Sequence, residues 1–427
     1  MKKKFSIILL LALSIATLTG CGGAEKKGYN PKFPTRPEEA EVKVEAVADI
    51  SDNFIRGMDA SSLLAEENSG VKFYNFEGQE QDALQTFADA GVNFIRLRVW
   101  NDPYDENGNG YGGGNNDLDT AIELGKRATK YGMKVCIDFH YSDFWADPKR
   151  QHVPKAWEGM NVEEKADAIY LFTKDAMVQL LEAGVDVDMV QLGNEINYGM
   201  CGETSIKNVV TMLKGGSRAV REASDECRQD IQIAVHFTRI EETSKLLNLV
   251  KYVGEFGLDY DLVGLSYYPF WDGPFDNLTK AITSIREDYK KDVFVAETSY
   301  CYISKDGDGS ANSVNGTTDL VKGYPATVQG QTDMVRDVCA TANAAGALGV
   351  FYWEGAWIPV GPADADNSPI WEEFGSGWAS SFAADYDPED AGLYYGGSSW
   401  DNQAFFDFEG HPLPSINVWK YLKYGTK

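Results

Sequence analysis

The sequence predicts an α/β fold, a (β/α)8 TIM barrel with long loops at the carboxyl-terminal face of its strands. Two observations lead to this prediction. From residue 53 a unit of short apolar strand, loop and amphipathic helix recurs, and it recurs eight times. Strands that alternate with helices pair in parallel, and eight such units favour a closed barrel. The 427 residues are long for one ordinary domain but suit a barrel with extended loops.

The predicted strands are short apolar runs, most of them rich in β-branched and aromatic residues. In chain order they are residues 54–60, 94–100, 134–140, 189–195, 231–237, 262–268, 293–299 and 348–353. The strings ADAGVNFIRL and ATKYGMKVCI show helix, glycine cap and strand in succession. A doubly wound open sheet is the alternative. It would usually carry a glycine-rich phosphate loop after its first strand, where this sequence has GMDASS.

The amino terminus has the features of a secretory signal. Three lysines precede an apolar run from Phe5 to about Leu18, which is too short for a membrane span and is followed by small residues. The string LTGC resembles the bacterial lipoprotein box, in which cleavage leaves the cysteine at the new amino terminus for lipidation. We therefore expect residues 1–20 to be a lipoprotein signal peptide and the protein to be secreted and held at the cell surface by lipid on Cys21. The alternative is an ordinary signal peptide that happens to contain this cysteine.

Residues 21–50 are rich in Gly, Pro, Lys and Glu, a composition that buries too little apolar surface to fold alone. We expect a flexible, acidic, proline-containing spacer that leads into a barrel domain of residues 51–427. A short strand around Val42–Val47 is the alternative for the end of this segment.

Charge and cysteine content restrict the partners of the chain. The formal net charge of −26 argues against nucleic-acid binding, which needs clustered Lys and Arg, and makes polyanionic substrates poor candidates. A neutral ligand fits best, and we expect a monomer whose only membrane contact is its lipid. The five cysteines after Cys21 are an odd, scattered set and not a disulfide framework.

The carboxyl-terminal ends of the strands are where a barrel of this kind carries its chemistry. Each predicted strand ends in a polar residue or in an aromatic residue with a polar group. In order these are Asp59, Arg98 and Trp100, His140, Asn194 and Glu195, His236, Tyr267 and Tyr268, Glu297, and Trp353. A barrel built for stability alone does not need such a series.

Two of these endings are carboxylates on opposite sides of the barrel mouth. Glu195 ends the fourth predicted strand and Glu297 lies at the end of the seventh. A single acid in such a place commonly caps a helix or forms a loop salt bridge. Two carboxylates on either side of a ligand are the arrangement of a glycosidase, in which one protonates the leaving oxygen and the other attacks or activates water.

The Asn-Glu pair on strand four, with a glutamate on strand seven, is similar to the retaining barrel glycosidases of clan A. The resemblance implies that Glu195 is the general acid/base and Glu297 the nucleophile, with their carboxyl groups about 5–5.5 Å apart. It also implies that Glu195 begins the reaction protonated, with a pKa raised by its site once Glu297 is ionised nearby.

The same resemblance assigns supporting roles around this pair. Asn194 would offer its amide to a sugar hydroxyl beside the reacting carbon. Arg98 and a tyrosine, either Tyr267 or Tyr268, would keep Glu297 ionised and oriented.

Longer motifs narrow the resemblance to the endo-β-1,4-galactanases of glycoside hydrolase family 53. They are RGMDASSL, NFIRLRVWNDPY, DFHYSDFWADPKRQHVPKAW, QLGNEINYGM, SYYPFW, VAETSY and GSSWDNQAFFDFEGHPLPS, and the resemblance spans about residues 53–424. It implies a catalytic domain over 51–427 that hydrolyses β-1,4-galactan, the neutral side chains of type I arabinogalactan.

Other activities stay open at this point. A mannanase or xylanase would share the catalytic pair and differ in the groove. A non-catalytic lipoprotein that captures oligosaccharides would not need the two glutamates. A metal-dependent barrel hydrolase is disfavoured because the chain has four histidines and none in an H-x-H arrangement.

Most of the ten tryptophans follow strand ends, where indole faces are suited to stack on sugar rings. Together with neighbouring polar groups they form the predicted substrate-binding set. It consists of Asp59, Arg98, Trp100, His140, Ser142, Asp143, Phe144, Trp145, Asn194, His236, Tyr268, Trp353 and Trp357. For the two histidines the alternative is a hydrogen-bonded position in the core.

The loop SKDGDGSANSVNG after strand seven carries oxygen-bearing side chains at alternate positions, a spacing by which loops wrap Ca²⁺. It is not an EF-hand, because its sixth position is Ala311 and not glycine. The family resemblance implies a structural Ca²⁺ here, completed by residues near the start of SSWDNQ. The expected ligands are Asp306, Asp308, Ser310, Asn312, Ser398 and Asp401. A glycine-aspartate turn without an ion is the alternative.

Overall fold

A computed structural model describes residues 31–316 and 319–427 of the chain. The predicted signal peptide and Cys21 lie outside the described residues. Among those that are described, no helix combines the length and the apolar character that a membrane span requires.

Eight parallel strands close into a barrel in chain order, as the sequence predicts. They are β1 (Ile55–Asp59), β2 (Phe94–Val99), β3 (Lys134–Phe139), β4 (Val187–Leu192), β5 (Gln232–Phe237), β6 (Leu262–Ser266), β7 (Asp292–Glu297) and β8 (Gly349–Tyr352). β8 pairs with β1 and closes the barrel, with Ile55 opposite Gly349. The TIM-barrel prediction is confirmed.

Helices surround the barrel and extend its loops. They are α1 (Leu63–Asn68), α2 (Ala83–Asp89), α3 (Leu118–Lys130), α4 (Val162–Glu182), α5 (Ile206–Cys227), α6 (Thr243–Glu255), α7 (Pro269–Asp272), α8 (Phe275–Ser284), α9 (Val328–Ala345), α10 (Ser368–Phe374) and α11 (Val418–Tyr421). The long helix α4 begins with a capping box between Asn161 and Glu164, which satisfies backbone donors at its first turn.

Most strands end one to three residues before the predicted position. The difference matters most at β4, which ends at Leu192, so that Asn194 and Glu195 lie in the loop that follows. Gly193 and Glu195 have φ values of 77° and 46°, and this left-handed backbone ends the strand.

The interior of the barrel changes from apolar to polar along the strands. Its amino-terminal end is filled by a layer of buried, mainly apolar residues: Ile55, Phe94, Cys136, Met189, Ala234, Leu262, Phe294, Ala296 and Phe351. Two residues further along, the same inward-facing positions of β2, β3 and β4 carry Arg96, Asp138 and Gln191, all buried. The apolar layer therefore forms a floor beneath a polar centre.

The segment before β1 packs against the barrel. The Pro31 carbonyl accepts a hydrogen bond from Arg56 Nη2 at 2.8 Å. Further on, Val42, Val44, Val47 and Ile50 are buried in the main hydrophobic cluster. The predicted boundary at residue 51 is therefore too late, because these apolar side chains pack on the barrel. No regular strand forms at Val42–Val47.

Candidate active site

A cavity of about 860 Å³ opens at the carboxyl-terminal face of the barrel. Both Glu195 and Glu297 line it. Six tryptophans share the lining, namely Trp145, Trp271, Trp353, Trp357, Trp378 and Trp400. An apolar, aromatic wall with a few convergent polar groups is the usual character of a small-molecule or sugar site.

Glu297, the last residue of β7, is held on both of its carboxylate oxygens. Arg96 Nη1 lies 3.0 Å from Oε1, and the Tyr268 hydroxyl donates to Oε2 at 2.9 Å. The tyrosine partner is one of the two that the sequence predicts. The prediction that Arg98 holds Glu297 is wrong, because the arginine that contacts Glu297 is Arg96.

Arg96 is surrounded by acceptors at the centre of the barrel. Besides Glu297, its guanidinium lies 3.1 Å from Asp59 Oδ2 and 2.8 Å from Asp138 Oδ2, and it donates to Asn194 Oδ1 at 3.0 Å. One buried cation thus faces three carboxylates, each from a different strand.

Arg98 shares Asp59 with Arg96, at 3.6 Å from Oδ1, but its closest partners are different. Its Nη1 lies 2.5 Å from Glu354 Oε1, and its Nη2 donates to the Gly113 carbonyl at 2.7 Å. The guanidinium also lies 4.3 Å from the centre of the Trp145 ring. Arg98 therefore supports a cavity-lining indole and does not hold a reacting carboxylate.

The backbone conformation of Glu195 helps to direct its side chain into the cavity. Its left-handed φ of 46° costs a non-glycine residue on the order of 1–3 kcal/mol. The half-buried side chain accepts a hydrogen bond from the Ser266 hydroxyl at 2.7 Å, and this hydroxyl lies 2.9 Å from His236 Nε2. The strain and the hydrogen bond together fix the direction of the carboxyl group.

The two carboxyl groups differ in their affinity for a proton. Burial raises the pKa of Glu195 well above its ordinary value, and the charge of Glu297 raises it further, against hydrogen bonds from Ser266 and Thr238. Burial also raises the pKa of Glu297, but Arg96 and Tyr268 oppose this shift. Glu297 therefore loses its proton first, and Glu195 keeps its proton beside an ionised Glu297.

His236 lies at the junction of these groups. It is fully buried, and its Nδ1 lies 2.8 Å from Asn194 Oδ1. Burial lowers its pKa well below the ordinary value, and the Arg96 charge adds to this effect. A neutral imidazole thus connects the amide before Glu195 with the hydroxyl that binds Glu195.

The predicted substrate-binding residues divide into two groups. Those that line the cavity are Arg98, His140, Trp145, Asn194, Tyr268, Trp353 and Trp357. Those that do not are Asp59, Trp100, Ser142, Asp143, Phe144 and His236, all nearly or fully buried. Residues of the buried group hold residues of the cavity lining in place. The Trp100 indole, for example, donates a hydrogen bond to His140 Nδ1 at 3.0 Å.

The predicted calcium ligands are brought together only in part. One carboxylate oxygen each from Asp306, Asp308 and Asp401 lies within 4.8 Å of the others. Ser310 and Ser398 contact this cluster through their backbone, since their N–H groups donate to the two oxygens of Asp308 at 2.8 and 2.7 Å.

Several residues of the site were missed by sequence reasoning. Arg96, Asp138 and Gln191 were missed because they precede the strand ends on which that reasoning concentrated. The string NFIRLRVW offered a signal, since two arginines at alternate positions of a buried strand share the inward face with Phe94. Trp271, Trp378 and Trp400 also line the cavity but were not selected.

The fold and the site together define a class. A closed (β/α)8 barrel with two carboxyl groups of different environment in one aromatic cavity is a barrel glycosidase that works through two carboxylates. The chain belongs to glycosyl hydrolase family 53, whose sequence model matches residues 55–419.

Relatives and solved structures agree with this membership. The chain is 48% identical to the endo-beta-1,4-galactanase of Bacillus subtilis (strain 168), covering 100% of this chain and 99% of that protein. It is 30% identical to the arabinogalactan endo-beta-1,4-galactanase of Cellvibrio japonicus, covering 87% and 92%. The GH53 catalytic domain of Ignisphaera aggregans superposes with a TM-score of 0.79 at 36% identity, covering 90% of this chain and 99% of that one.

Replacement of Arg96 by Met should destabilise the protein in a pH-dependent way. Three carboxylates would lose their buried cation, and breaking such a pair costs about 3–5 kcal/mol near neutral pH. The loss should shrink toward about pH 5, because without Arg96 burial raises the pKa of Glu297 and Asp138, which then take up protons as the pH falls. Urea unfolding at both pH values measures the effect.

Arg286→Met is the control for this variant, because Arg286 lies in a half-exposed pair 3.8 Å from Asp292. It should lose no more than about 1 kcal/mol. An equal loss in both variants, or no pH dependence for Arg96→Met, would contradict the central role of Arg96.

Proposed function

We propose that this protein is an arabinogalactan endo-β-1,4-galactanase, which cleaves internal bonds of β-1,4-galactan with retention of configuration. The observation that carries the proposal is that Glu195 and Glu297 line one cavity of a family 53 barrel, with Arg96 and Tyr268 on Glu297 and the Ser266 hydroxyl on Glu195. The 48% identity to a galactanase over the whole chain supports this substrate. A xylanase from Cellvibrio japonicus, at 13% identity and a TM-score of 0.52, shares the fold alone.

In the first step Glu297 attacks the anomeric carbon while Glu195 gives its proton to the leaving glycosidic oxygen. A covalent bond from Glu297 to the sugar forms as the glycosidic bond breaks. Arg96 and Tyr268 hold the two oxygens of Glu297, which limits the rotation of the nucleophile.

In the second step Glu195 acts as a base. Once Glu297 is esterified its negative charge is gone, and the pKa of Glu195 falls because that charge had raised it. Glu195 then takes a proton from water, the water oxygen attacks the anomeric carbon, and Glu297 leaves as a carboxylate.

The cavity wall supplies contacts for a neutral polysaccharide. The half-buried Trp145 and Trp353 would stack on galactose rings, whereas Trp357 is almost fully buried and packs against both of them. His140 and Asn194 line the same cavity with polar groups. The net charge of −26 does not hinder an uncharged polymer.

Substitution of the two glutamates should separate their roles. Glu195→Gln should lower galactan hydrolysis by about 10²–10⁴-fold, because the leaving sugar needs a proton. The same variant should still form the covalent intermediate from an aryl galactoside, whose phenolate leaves without one. The Glu297→Gln variant should neither hydrolyse galactan nor form the covalent intermediate from the aryl galactoside.

Glu373→Gln, at an exposed position, is the matched control and should keep wild-type activity. Product analysis on galactan, mannan and xylan tests the substrate. Wild-type release from mannan or xylan but not from galactan would overturn the galactanase assignment. Activity that persists in both glutamate variants would overturn the mechanism.

Tyr268→Phe should move the acid limb of the pH–activity profile to higher pH. The lost hydroxyl favours the ionised form of Glu297, so its removal raises the pKa of a group that must be ionised to react. Measurement of kcat/KM against pH shows the shift. Tyr267→Phe is the control, because the Tyr267 hydroxyl donates to the Gly273 carbonyl. If Tyr268→Phe and Tyr267→Phe gave the same dependence of kcat/KM on pH, the role assigned to Tyr268 at Glu297 would be contradicted.

We further propose that a structural Ca²⁺ is bound by Asp306, Asp308 and Asp401, with Asn312 beside them. The cluster fits a hard cation, because its ligands are carboxylate oxygens and one of them, Asp401 Oδ1, is buried without a hydrogen-bond partner in the described chain. A bound cation would offset the mutual repulsion of these acids and join the loop after β7 to the loop after β8.

Calcium should therefore raise the melting temperature, and a chelator should lower it. Scanning calorimetry with Ca²⁺ and with EGTA measures the difference. Asp401→Asn should reduce or remove the response, whereas Asp364→Asn, an exposed position in a nearby loop, should keep it. A melting temperature that does not respond to Ca²⁺ in the wild type would remove this proposal.

For localisation we propose a secreted, monomeric enzyme attached to the cell surface through lipid on Cys21. The lipoprotein-box sequence supports this, although it lies outside the described residues. Cys21→Ala should move the protein from the membrane fraction to the soluble fraction. A wild-type protein that is soluble after cell fractionation would contradict the anchor.

A further inference from the structure

A second group of metal-ligating side chains lies away from both the catalytic pair and the acidic loop cluster. It consists of His152, in the loop after β3, with Asp387 and Glu389, in the long loop after β8. One ligand atom from each of the three lies within 4.8 Å of the others. The group therefore brings together two loops that are far apart in the chain.

Two of these atoms are buried and make no hydrogen bond, although they face each other as a histidine–aspartate pair. His152 Nε2 and Asp387 Oδ1 have no hydrogen-bond partner in the part of the chain that the structure describes. They lie 3.6 Å from each other, which is too far for a hydrogen bond. Asp387 has no exposed side-chain surface, so water in the bulk does not replace the missing partner.

The separation of the two atoms fits a metal ion between them. Zn²⁺ binds imidazole nitrogen and carboxylate oxygen at about 2.0–2.2 Å, and at a tetrahedral angle these bonds place the two ligand atoms about 3.5 Å apart. The distance in the structure is 3.6 Å. An imidazole among the ligands favours Zn²⁺ over Ca²⁺ or Mg²⁺, which prefer oxygen alone.

The surrounding charges leave room for a divalent cation. Arg150 approaches the other oxygen of Asp387, with Nη1 3.5 Å from Oδ2, so Oδ1 faces His152 and not the arginine. Arg150 is itself paired, through Nε to Asp147 at 2.8 Å and through Nη1 to Asp390 at 2.7 Å. The three carboxylates around this arginine, Asp147, Asp387 and Asp390, outnumber its positive charge.

We propose that His152, Asp387 and Glu389 form a zinc site that joins the loop after β3 to the loop after β8. Three protein ligands leave a fourth position for water, on the side of the exposed Glu389. Arg150 and Asp390, from the same two loops, line the catalytic cavity. Bound Zn²⁺ would therefore stabilise one wall of the cavity. This goes beyond the proposed galactanase activity and does not rest on it.

The test is calorimetric titration of Zn²⁺ into the purified chain kept saturated with Ca²⁺, so that the acidic loop cluster is occupied. The wild type should bind one Zn²⁺ per chain at this site and gain thermal stability. His152→Gln and Asp387→Asn should each lose that binding and that gain.

His411→Gln is the matched control. His411 and Asp407 form another histidine–aspartate pair at 3.6 Å, but both side chains are largely exposed and no third ligand joins them among the described residues. This variant should bind Zn²⁺ like the wild type. Co²⁺ gives a second readout, because four-coordinate Co²⁺ absorbs visible light more strongly than the aqueous ion.

A wild type that binds no stoichiometric Zn²⁺ would overturn the proposal. So would stoichiometric binding that persists in His152→Gln. The His152 side chain is about one-third exposed, so its replacement is expected to leave the fold intact. His152→Gln therefore decides the question even if Asp387→Asn fails to fold.

Discussion

The site depends on one interaction, the burial of the Arg96 guanidinium among Asp59, Asp138 and Glu297. Removing a cation from water is costly, and it is tolerated only when several partners with good geometry surround it. Here the partners come from β1, β3 and β7, so the ion cluster joins separate parts of the barrel. The nucleophile proposed here is one member of that cluster.

The two glutamates differ in pKa because Arg96 pairs with Glu297. Glu297 has a cation and a phenol as partners, whereas Glu195 has hydroxyl groups and the negative charge of Glu297. Burial alone would raise the pKa of both glutamates. The difference between them arises because Arg96 pairs with Glu297, and the neutral His236 behind Glu195 adds no opposing charge.

The eight strands, the two glutamates and three of the six cavity-lining tryptophans could be predicted because each depends on local pattern. Hydrophobic periodicity places strands, and a barrel places its chemistry at their ends. The choice between Arg96 and Arg98 could not be made in this way. Both occupy inward positions on β2, and which one reaches Glu297 depends on the tilt and stagger of strands across the barrel. The packing of residues 42–50 was missed for a similar reason, since Val44 pairs with Thr426 at the other end of the chain.

The contact between Pro31 and Arg56 has a consequence for the lipid anchor proposed at Cys21. Arg56 lies at the amino-terminal end of β1, on the face of the barrel opposite the cavity. Ten residues separate Cys21 from Pro31, and they span at most about 35 Å. With lipid on Cys21, the membrane would be close to the closed face of the barrel. The open groove would then point outward, toward polymers too large to approach the cell envelope.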